Sequence, residues 1–439
     1  MSELLEELQD WLNDNWDPDL TVAQWWEQLG LAGWAAPTYP TNAYGRGLSR
    51  GDSVLVAGAI GEHGALNAPG GLGLLLAGPT IAEHGTAEQI EQYVRDIVTG
   101  QRAWCQLFSE PGAGSDLAGL QAKAEQDGDE WIVNGQKVWT SGGHVADLGM
   151  LIARTDSDVP KHQGISYFAI EMDQPGMDVR PLREMTGRAL FNEVFMTDAR
   201  VNDAAMISGK GNGWAVANST LAYERSGLGA GGGNQSTSAA TPGTIAGHLD
   251  KRAGDFVVAP KAKKPSKEHQ APSKPRPKAR LSGLADRLAK MAEQNGAITD
   301  PTIRDGLMRL HSLGEIGRIN NLRVKGARQA GTTIPGMGNI SKLSMSDLVR
   351  MQRDLGLRIV GANGMLHAYN GDDRAAITEA TNMPLLGVVT ELALFAQAPP
   401  IYGGTDQVQR NIIGERVLGL PKEPNNDRVT SFADLPKNV

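Results

Sequence analysis

The apolar rhythm of this chain changes twice along its length, and no other feature limits its fold as strongly. Up to about residue 102 the rhythm is helical. Leu4, Leu5, Leu8 and Leu12 recur at helical spacing, and later apolar stretches are divided by Gly and Pro. From 103 to about 204 it shortens to β-rich runs separated by turn residues. Among these are Trp131-Ile132-Val133, Val138-Trp139, Ile165-Ser166-Tyr167-Phe168-Ala169-Ile170 and Val194-Phe195-Met196. After Gly213-Trp214 it is helical again. Asp300-Pro301 makes a cap and first-turn pair ahead of Ile303, Leu307 and Leu310, and the stretch Leu343 to Val360 carries a stripe at Leu348, Met351 and Leu355. A helical, a β and a second helical region are therefore expected, and 439 residues suit two or three domains.

Two segments inside the β region carry the chemistry. Trp104-Cys105-Gln106-Leu107-Phe108-Ser109-Glu110-Pro111-Gly112-Ala113-Gly114-Ser115-Asp116 reads as a strand running into a Pro/Gly loop. There small residues let backbone N–H groups come close to a ligand, and Ser109 and Ser115 add hydroxyls. About twenty residues on, Asn134-Gly135-Gln136-Lys137-Val138-Trp139-Thr140-Ser141-Gly142-Gly143 reads as a hairpin arm with Asn134-Gly135 as its two-residue turn. Its Trp139 offers a large ring that can lie beside a flavin. Either segment alone reads as well as an ordinary strand, loop and hairpin with a core Trp. In this order and spacing they describe a flavin site.

Composition removes several alternatives. No apolar run reaches the roughly eighteen residues of a membrane span, and the acidic start Met1-Ser2-Glu3-Leu4-Leu5-Glu6-Glu7 lacks the basic region of a signal peptide. A cytoplasmic protein is expected. The single cysteine, Cys105, excludes an internal disulfide and a Cys-based zinc site, and the eight His show no metal spacing, so no metal is expected. No Gly-x-Ser-x-Gly elbow is present. A net charge of −8 gives no general reason to expect nucleic acid. One segment breaks the rhythm: Lys261 to Arg280 holds eight Lys or Arg, four Pro and one acid. Such a composition reads as an exposed linker within a basic insertion around 255–282. Docking to an acidic partner or nucleic acid is the other reading, and the lack of interleaved aromatics weighs against it.

The two flavin segments resemble the acyl-CoA dehydrogenase family. Ile401-Tyr402-Gly403-Gly404-Thr405-Asp406-Gln407-Val408-Gln409-Arg410-Asn411-Ile412-Ile413-Gly414-Glu415-Arg416-Val417-Leu418-Gly419-Leu420-Pro421 looks like the family's C-terminal signature. The likeness begins near Leu29-Gly30-Leu31-Ala32-Gly33-Trp34 and covers nearly the whole chain apart from the insertion. It implies an α+β multidomain fold: an N-terminal α-helical domain over 1–102, a middle antiparallel β domain over 103–204 and a C-terminal helical bundle over 205–439. It implies FAD, an acyl-CoA substrate dehydrogenated to a trans-2-enoyl-CoA, an electron-transfer flavoprotein as acceptor, and a homotetramer or a heterotetramer with a related chain. A non-catalytic partner subunit that completes another chain's FAD site is the alternative function.

The resemblance also implies roles by position. Leu107, Phe108, Ser109, Ser115, Trp139, Thr140 and Ser141 match flavin contacts. Arg358, Gly361 and Ala362 lie in Arg358-Ile359-Val360-Gly361-Ala362-Asn363-Gly364, which resembles the segment a neighbouring subunit lends to the ADP half of FAD, and Thr405 and Gln407 match further FAD contacts. Ser115, Arg225, Gly403, Gly404 and Arg416 match positions near the acyl-CoA. Many relatives place the catalytic Glu directly after the Tyr of the C-terminal signature, where this chain has Gly403. Enzymes similar to isovaleryl- and long-chain acyl-CoA dehydrogenases place it instead on the first helix of the last domain within Leu-x-x-Glu-Arg, and this chain has Leu221-Ala222-Tyr223-Glu224-Arg225. Glu224 is the expected base, and a surface charge pair with Arg225 is its plainer reading. The chain departs from the family at Ala222, where an acid is common, and in lacking a recognisable Arg-x-x-Phe-Gly element after Glu224. Both departures resemble members built from unlike subunits. Gly227-Leu228-Gly229-Ala230-Gly231-Gly232 matches a dinucleotide fingerprint, but it follows helical sequence instead of a strand, so close packing is the better reading.

Overall fold

In the computed structural model, residues 3–228, 238–258 and 283–436 are described, without the side chains of 225–228 and 328. The chain divides into two compact units. The first comprises Met1–Leu182, Ala189–Lys267 and Asn425–Val439, and the second comprises Arg183–Arg188 and Glu268–Pro424.

The first unit begins with helices set by their own capping chemistry. Helix α1 (Glu3–Asn15) buries Leu8 and Leu12, and α2 (Val22–Leu31) opens with a capping box in which Thr21 and Gln24 satisfy each other's backbone N–H groups. Trp25 and Trp26 on α2 are fully buried, and each indole N–H is paired, to Leu66 O at 2.6 Å and Asn67 O at 2.9 Å. Helix α3 (Arg50–His63) follows. A wide turn over Gly73–Ala77 then leads into α4 (Gly78–His84), α5 (Ala87–Gln89) and α6 (Arg95–Val98). Gln89 carries the helical region onto the sheet, its Nε2 donating to Ala204 O at 2.8 Å and Met206 O at 2.9 Å.

The sheet contains β1 (Trp104–Leu107), β2 (Lys123–Asp127), β3 (Glu130–Ser141), β4 (Leu148–Arg154), β5 (Ile165–Glu171), β6 (Met177–Leu182), β7 (Phe191–Asn202) and β8 (Met206–Ile207). Its order is β6-β7-β3-β2-β4-β5-β8, with β1 beside β4. Most neighbours are antiparallel. β1 and β4 run parallel, as β2 and β4 do where Lys123 meets Arg154. The loop after β1 thus returns the chain to the sheet as a crossover instead of a hairpin.

One turn is placed differently from the sequence reading. Asn134-Gly135 is no hairpin turn but lies inside the long strand β3, where the register with β7 shifts between Val133 and Gly135. Asn134 and Asp198 exchange hydrogen bonds across the bulge, at 3.0 and 2.9 Å, and a Cβ on Gly135 would stand 2.6 Å from that of Ala122. The pair serves a bulge and a close strand approach. The β2–β3 reversal instead runs through Gly128, at φ 68°, with Asp127 opposite Glu130.

Helix α7 (Gly213–Leu228) packs within this unit. Residues 238–258, where helical rhythm was expected, form an irregular strap instead. Buried Asp147 accepts from Ala103 N at 2.7 Å and from the N–H and hydroxyl of Thr244, and Gly243 N donates to Gly100 O at 2.9 Å. A Cβ on Gly243, at φ 92°, would lie 2.4 Å from Asp147 Oδ2, so only glycine passes there. Further on, the strap reaches α2 through Ala23 N to Leu249 O and Val22 N to Lys251 O. The C-terminal stretch returns to this unit: Phe432 lies under the Arg154 guanidinium, 3.6 Å from ring centroid to Cζ.

The second unit is helical: α8 (Gly283–Gln294), α9 (Pro301–Gln329), α10 (Met337–Val360), α11 (Gly371–Thr381), α12 (Leu386–Phe395) and α13 (Asp406–Ile412). Asp300 caps α9, accepting from Thr302 N at 2.7 Å. Leu288, Met291, Ile303, Leu307, Leu310, Leu355, Ile359 and Val389 form its core. Among the described residues no helix is long and apolar enough to cross a membrane.

Candidate active site

The first unit brings the two flavin segments together through buried charge. Lys137, on β3, is fully buried, and its Nζ donates to Phe108 O at 3.0 Å and to Glu110 Oε1 at 2.9 Å. The Glu110 carboxylate also accepts from the N–H groups of Gln121, at 2.7 Å, and Ala122, at 2.9 Å. Burial pushes the Lys137 ammonium below its usual range, opposed by the charge and hydrogen bond of Glu110. Val138 N donates to Ser109 O at 2.9 Å. One ion pair therefore fixes the start of the Ser109–Ser115 loop, joins it to the backbone of Gln121 and Ala122, and ties it to the Trp139 arm. Sequence reasoning missed this pair. The signal was a Lys on an otherwise inward-facing strand position, complementary to an acid in a glycine-rich loop.

Immediately beyond Lys137 the β3–β7 register shifts again, between Lys137 and Thr140. The irregularity holds Trp139 at φ 62°, a left-handed backbone that a bulky residue rarely adopts. Its ring is 61% exposed, with Phe191 edge-on at 5.8 Å. A large apolar ring turned outward on strained backbone is poorly explained by packing. Beside it Thr140 is fully buried and its Oγ1 has no hydrogen-bond partner among the described residues, nor does Oδ1 of neighbouring Asn192. An open ring next to unpaired polar atoms fits a planar group with an apolar face and a polar edge. Ser141 is half-buried at the end of the arm. Leu107 and Phe108 are buried in the core, Phe108 edge-on to Tyr167, while Ser115 is exposed.

Glu224 lies half-buried near the end of α7. The helix is seated by buried hydroxyls, Thr80 against Thr220 at 3.0 Å, and by His84 Nε2 on Ser219 Oγ at 2.8 Å and the Tyr223 hydroxyl on Glu83 at 3.0 Å. The Arg225 side chain and most of the glycine run that follows lie outside the described residues, as does most of the basic insertion.

In the second unit the C-terminal signature folds around Asp406, which is 3% exposed and accepts from Lys342 Nζ and Arg350 Nη2, each at 2.9 Å. Gly403 and Gly404 have φ of 61° and 77°, Gln409 Nε2 donates to Gly403 O at 2.9 Å, and Thr405 caps α13. Burial alone would raise the Asp406 carboxyl, but hydrogen bonds from Lys342, Ser346 and Arg350 outweigh it and hold it below the usual range. A carboxyl depressed by folding contributes stability above its ordinary pKa, about 4, and loses it as pH falls below that. Asp406→Asn should accordingly lower the thermal midpoint at neutral pH and narrow the gap to wild type as the buffer is brought towards about pH 3. Equal gaps at both pH values would refute the role. Gln407 and Arg416 are exposed. Exposed Arg358, which hydrogen-bonds Thr302, closes α10 ahead of Gly361, at φ 58°, and exposed Ala362.

Comparison with known proteins decides the family. Residues 2–101 match the acyl-CoA dehydrogenase N-terminal domain, 105–199 the middle domain and 279–418 the C-terminal domain. The chain belongs to the acyl-CoA dehydrogenase family. Acyl-CoA dehydrogenase IpdE1 of Mycobacterium tuberculosis is 33% identical to it, over 91% of this chain and 88% of the relative. Mitochondrial isovaleryl-CoA dehydrogenase of Pongo abelii is 32% identical over 46% of this chain and 49% of its own length. The solved ChsE4-ChsE5 complex from Mycobacterium tuberculosis shares the fold at 23% identity and a TM-score of 0.61, covering 96% of this chain and 97% of that one. This acyl-CoA dehydrogenase homologue is a flavin-dependent oxidoreductase, and FAD is its cofactor. The unpaired Thr140 hydroxyl and the outward Trp139 ring suit that group.

Proposed function

We propose that the protein dehydrogenates an acyl-CoA thioester to a trans-2-enoyl-CoA in the cytoplasm, with Glu224 as base and an electron-transfer flavoprotein as electron acceptor. One observation carries the choice of base. The signature position that holds the carboxylate in many relatives is a glycine in left-handed conformation, Gly403, while a carboxylate stands half-buried on a helix pinned by buried hydroxyl contacts. FAD, when bound, accepts the hydride from the β-carbon. The chain's own part is to hold and to deprotonate. Trp139, Thr140, Ser141 and the backbone of 107–109, with Ser115, line the flavin; Arg358, Gly361 and Ala362 serve the ADP half of a neighbouring subunit's FAD, with Thr405 and Gln407 as further FAD contacts; and Ser115, Arg225, Gly403, Gly404 and Arg416 serve the acyl-CoA. The Gly403 N–H stabilises the thioester carbonyl as enolate charge develops there, and Glu224 takes the α-proton.

A partner-dependent subunit is the second reading, favoured by Ala222 and by the missing Arg-x-x-Phe-Gly element. A tetramer, of one chain or of two related ones, accommodates both. An anaerobic visible spectrum of the purified chain, taken before and after adding a panel of acyl-CoA thioesters, separates them. A yellow protein that bleaches is expected. A colourless protein that gains flavin only with a second dehydrogenase-like chain would favour the partner role.

A further inference from the structure

The Lys137–Glu110 pair fixes the start of the Ser109–Ser115 loop, and two other cations hold its far end. Arg154, on β4, is 3% exposed, and its Nη2 donates to Ala118 O at 2.7 Å and to Leu120 O at 3.2 Å, where the chain leaves the loop. Its Nη1 donates to Lys161 O at 2.5 Å. Lys161 is itself buried, and its Nζ donates to both carboxylate oxygens of Asp116, at 2.8 and 2.9 Å. Between these clasps Pro111, Gly114, Ser115 and Asp116 are exposed. The path of that stretch therefore depends on its fastenings more than on core packing.

Both cations take a further partner from one segment. Residues Asn425–Val439 belong to the first unit. Backbone bonds lay them against the β4–β5 loop, Phe432 N to Val159 O at 2.9 Å and Ala433 N to Ser157 O at 2.8 Å. Of residues 425–436, Phe432 alone has a buried side chain. Its ring covers the Arg154 guanidinium, whose Nε has no hydrogen-bond partner among the described residues. Asp427 Oδ2 lies 2.5 Å from Lys161 Nζ. A segment that only added apolar burial would place more than one side chain in the core. This one directs its buried ring and a half-buried carboxylate onto the two cations that grip the flavin loop.

We propose that Phe432 and Asp427 are positioning residues for the flavin, holding the 115–120 end of the loop, through Arg154 and Lys161, in the geometry that retains FAD. A guanidinium taken out of water gains from an aromatic face, and a buried ammonium from a paired carboxylate. Removing either partner loosens the grip on Ala118, Leu120 and Asp116. The inference rests on the reading above that the Ser109–Ser115 loop lines FAD, and its test separates the two.

Release of FAD on dilution is followed by free-flavin fluorescence in the full chain, with any chain that co-purifies, at a temperature where circular dichroism shows every variant folded. Phe432→Ala should release FAD about tenfold faster than wild type, the scale of one desolvated cation–ring contact. Phe432→Tyr, which keeps the ring face, should restore retention. Asp427→Asn, a half-buried change that leaves the fold intact, should speed release about threefold and decides the matter if Phe432→Ala does not fold. Leu12→Ala, which opens a cavity under α1 in the same unit, should lower the thermal midpoint and keep wild-type release. Wild-type release from Phe432→Ala and Asp427→Asn overturns the inference. So does release from Leu12→Ala as fast as from Phe432→Ala, which would reduce the segment to general stability. Lys137→Met, at the other end of the loop, supplies the distinction. If it sheds FAD while the two segment variants hold it, the inference falls and the loop reading stands; if all three hold it as wild type does, both fall.

Discussion

Glu224→Gln is expected to lower the rate of flavin reduction by about 10²- to 10⁴-fold, the usual worth of a positioned general base, and to leave the flavin bound. The amide keeps the shape of the side chain and cannot accept the α-proton. The visible spectrum before substrate should match wild type, because the proposed flavin contacts Trp139, Thr140 and Ser141 lie on β3 while Glu224 lies on α7. Bleaching on adding substrate should be lost or slowed by that factor. Binding of the acyl-CoA should persist, so the loss appears in the chemical step and not in affinity. Ordinary turnover by the amide variant would remove Glu224 from the mechanism. Loss of flavin together with activity would instead point to a structural role for the helix end.

Lys137→Met should be the most damaging change to the flavin loop. Methionine roughly fills the volume but removes a charge that is fully buried against Glu110. Breaking a buried pair by removing one partner costs about 3–5 kcal/mol, because the other charge stays behind in low dielectric. That corresponds to a fall in thermal midpoint on the order of 10 °C for the unit concerned. Glu110 would keep its two backbone donors at Gln121 and Ala122, so the loop should loosen without the sheet coming apart. Flavin should be lost on dilution, seen as rising free-flavin fluorescence. A second change, Glu110→Gln on the Met background, should recover much of the loss, as paired sites are non-additive. Unchanged stability and flavin retention in Lys137→Met would show that the pair is incidental.

The three-region order and the two flavin segments could be read from residue spacing, since helix and strand periodicities are local properties and the Gly-rich loop is contiguous. Trp139 could be named as a ring for the flavin, but its left-handed backbone could not, because it follows from the β3–β7 register. Asn134-Gly135 shows the converse. The dipeptide is a strong turn signal, yet pairing on both sides of β3 absorbed it into the strand as a bulge. Glu224 became a candidate through the family pattern around it and through Gly403. Its seating by Thr80, Thr220 and Ser219 spans some 140 residues and left no local trace.

Local periodicity and a few contiguous motifs thus established the kinds of element, the family and the flavin. Tertiary packing decided which strands pair in parallel, that Lys137 and Glu110 share one buried site, and that Arg154 and Lys161 meet Phe432 and Asp427 from the far end of the sequence. Those outcomes depend on long-range contacts and on the desolvation of charge, which a residue meets only once the chain around it has folded.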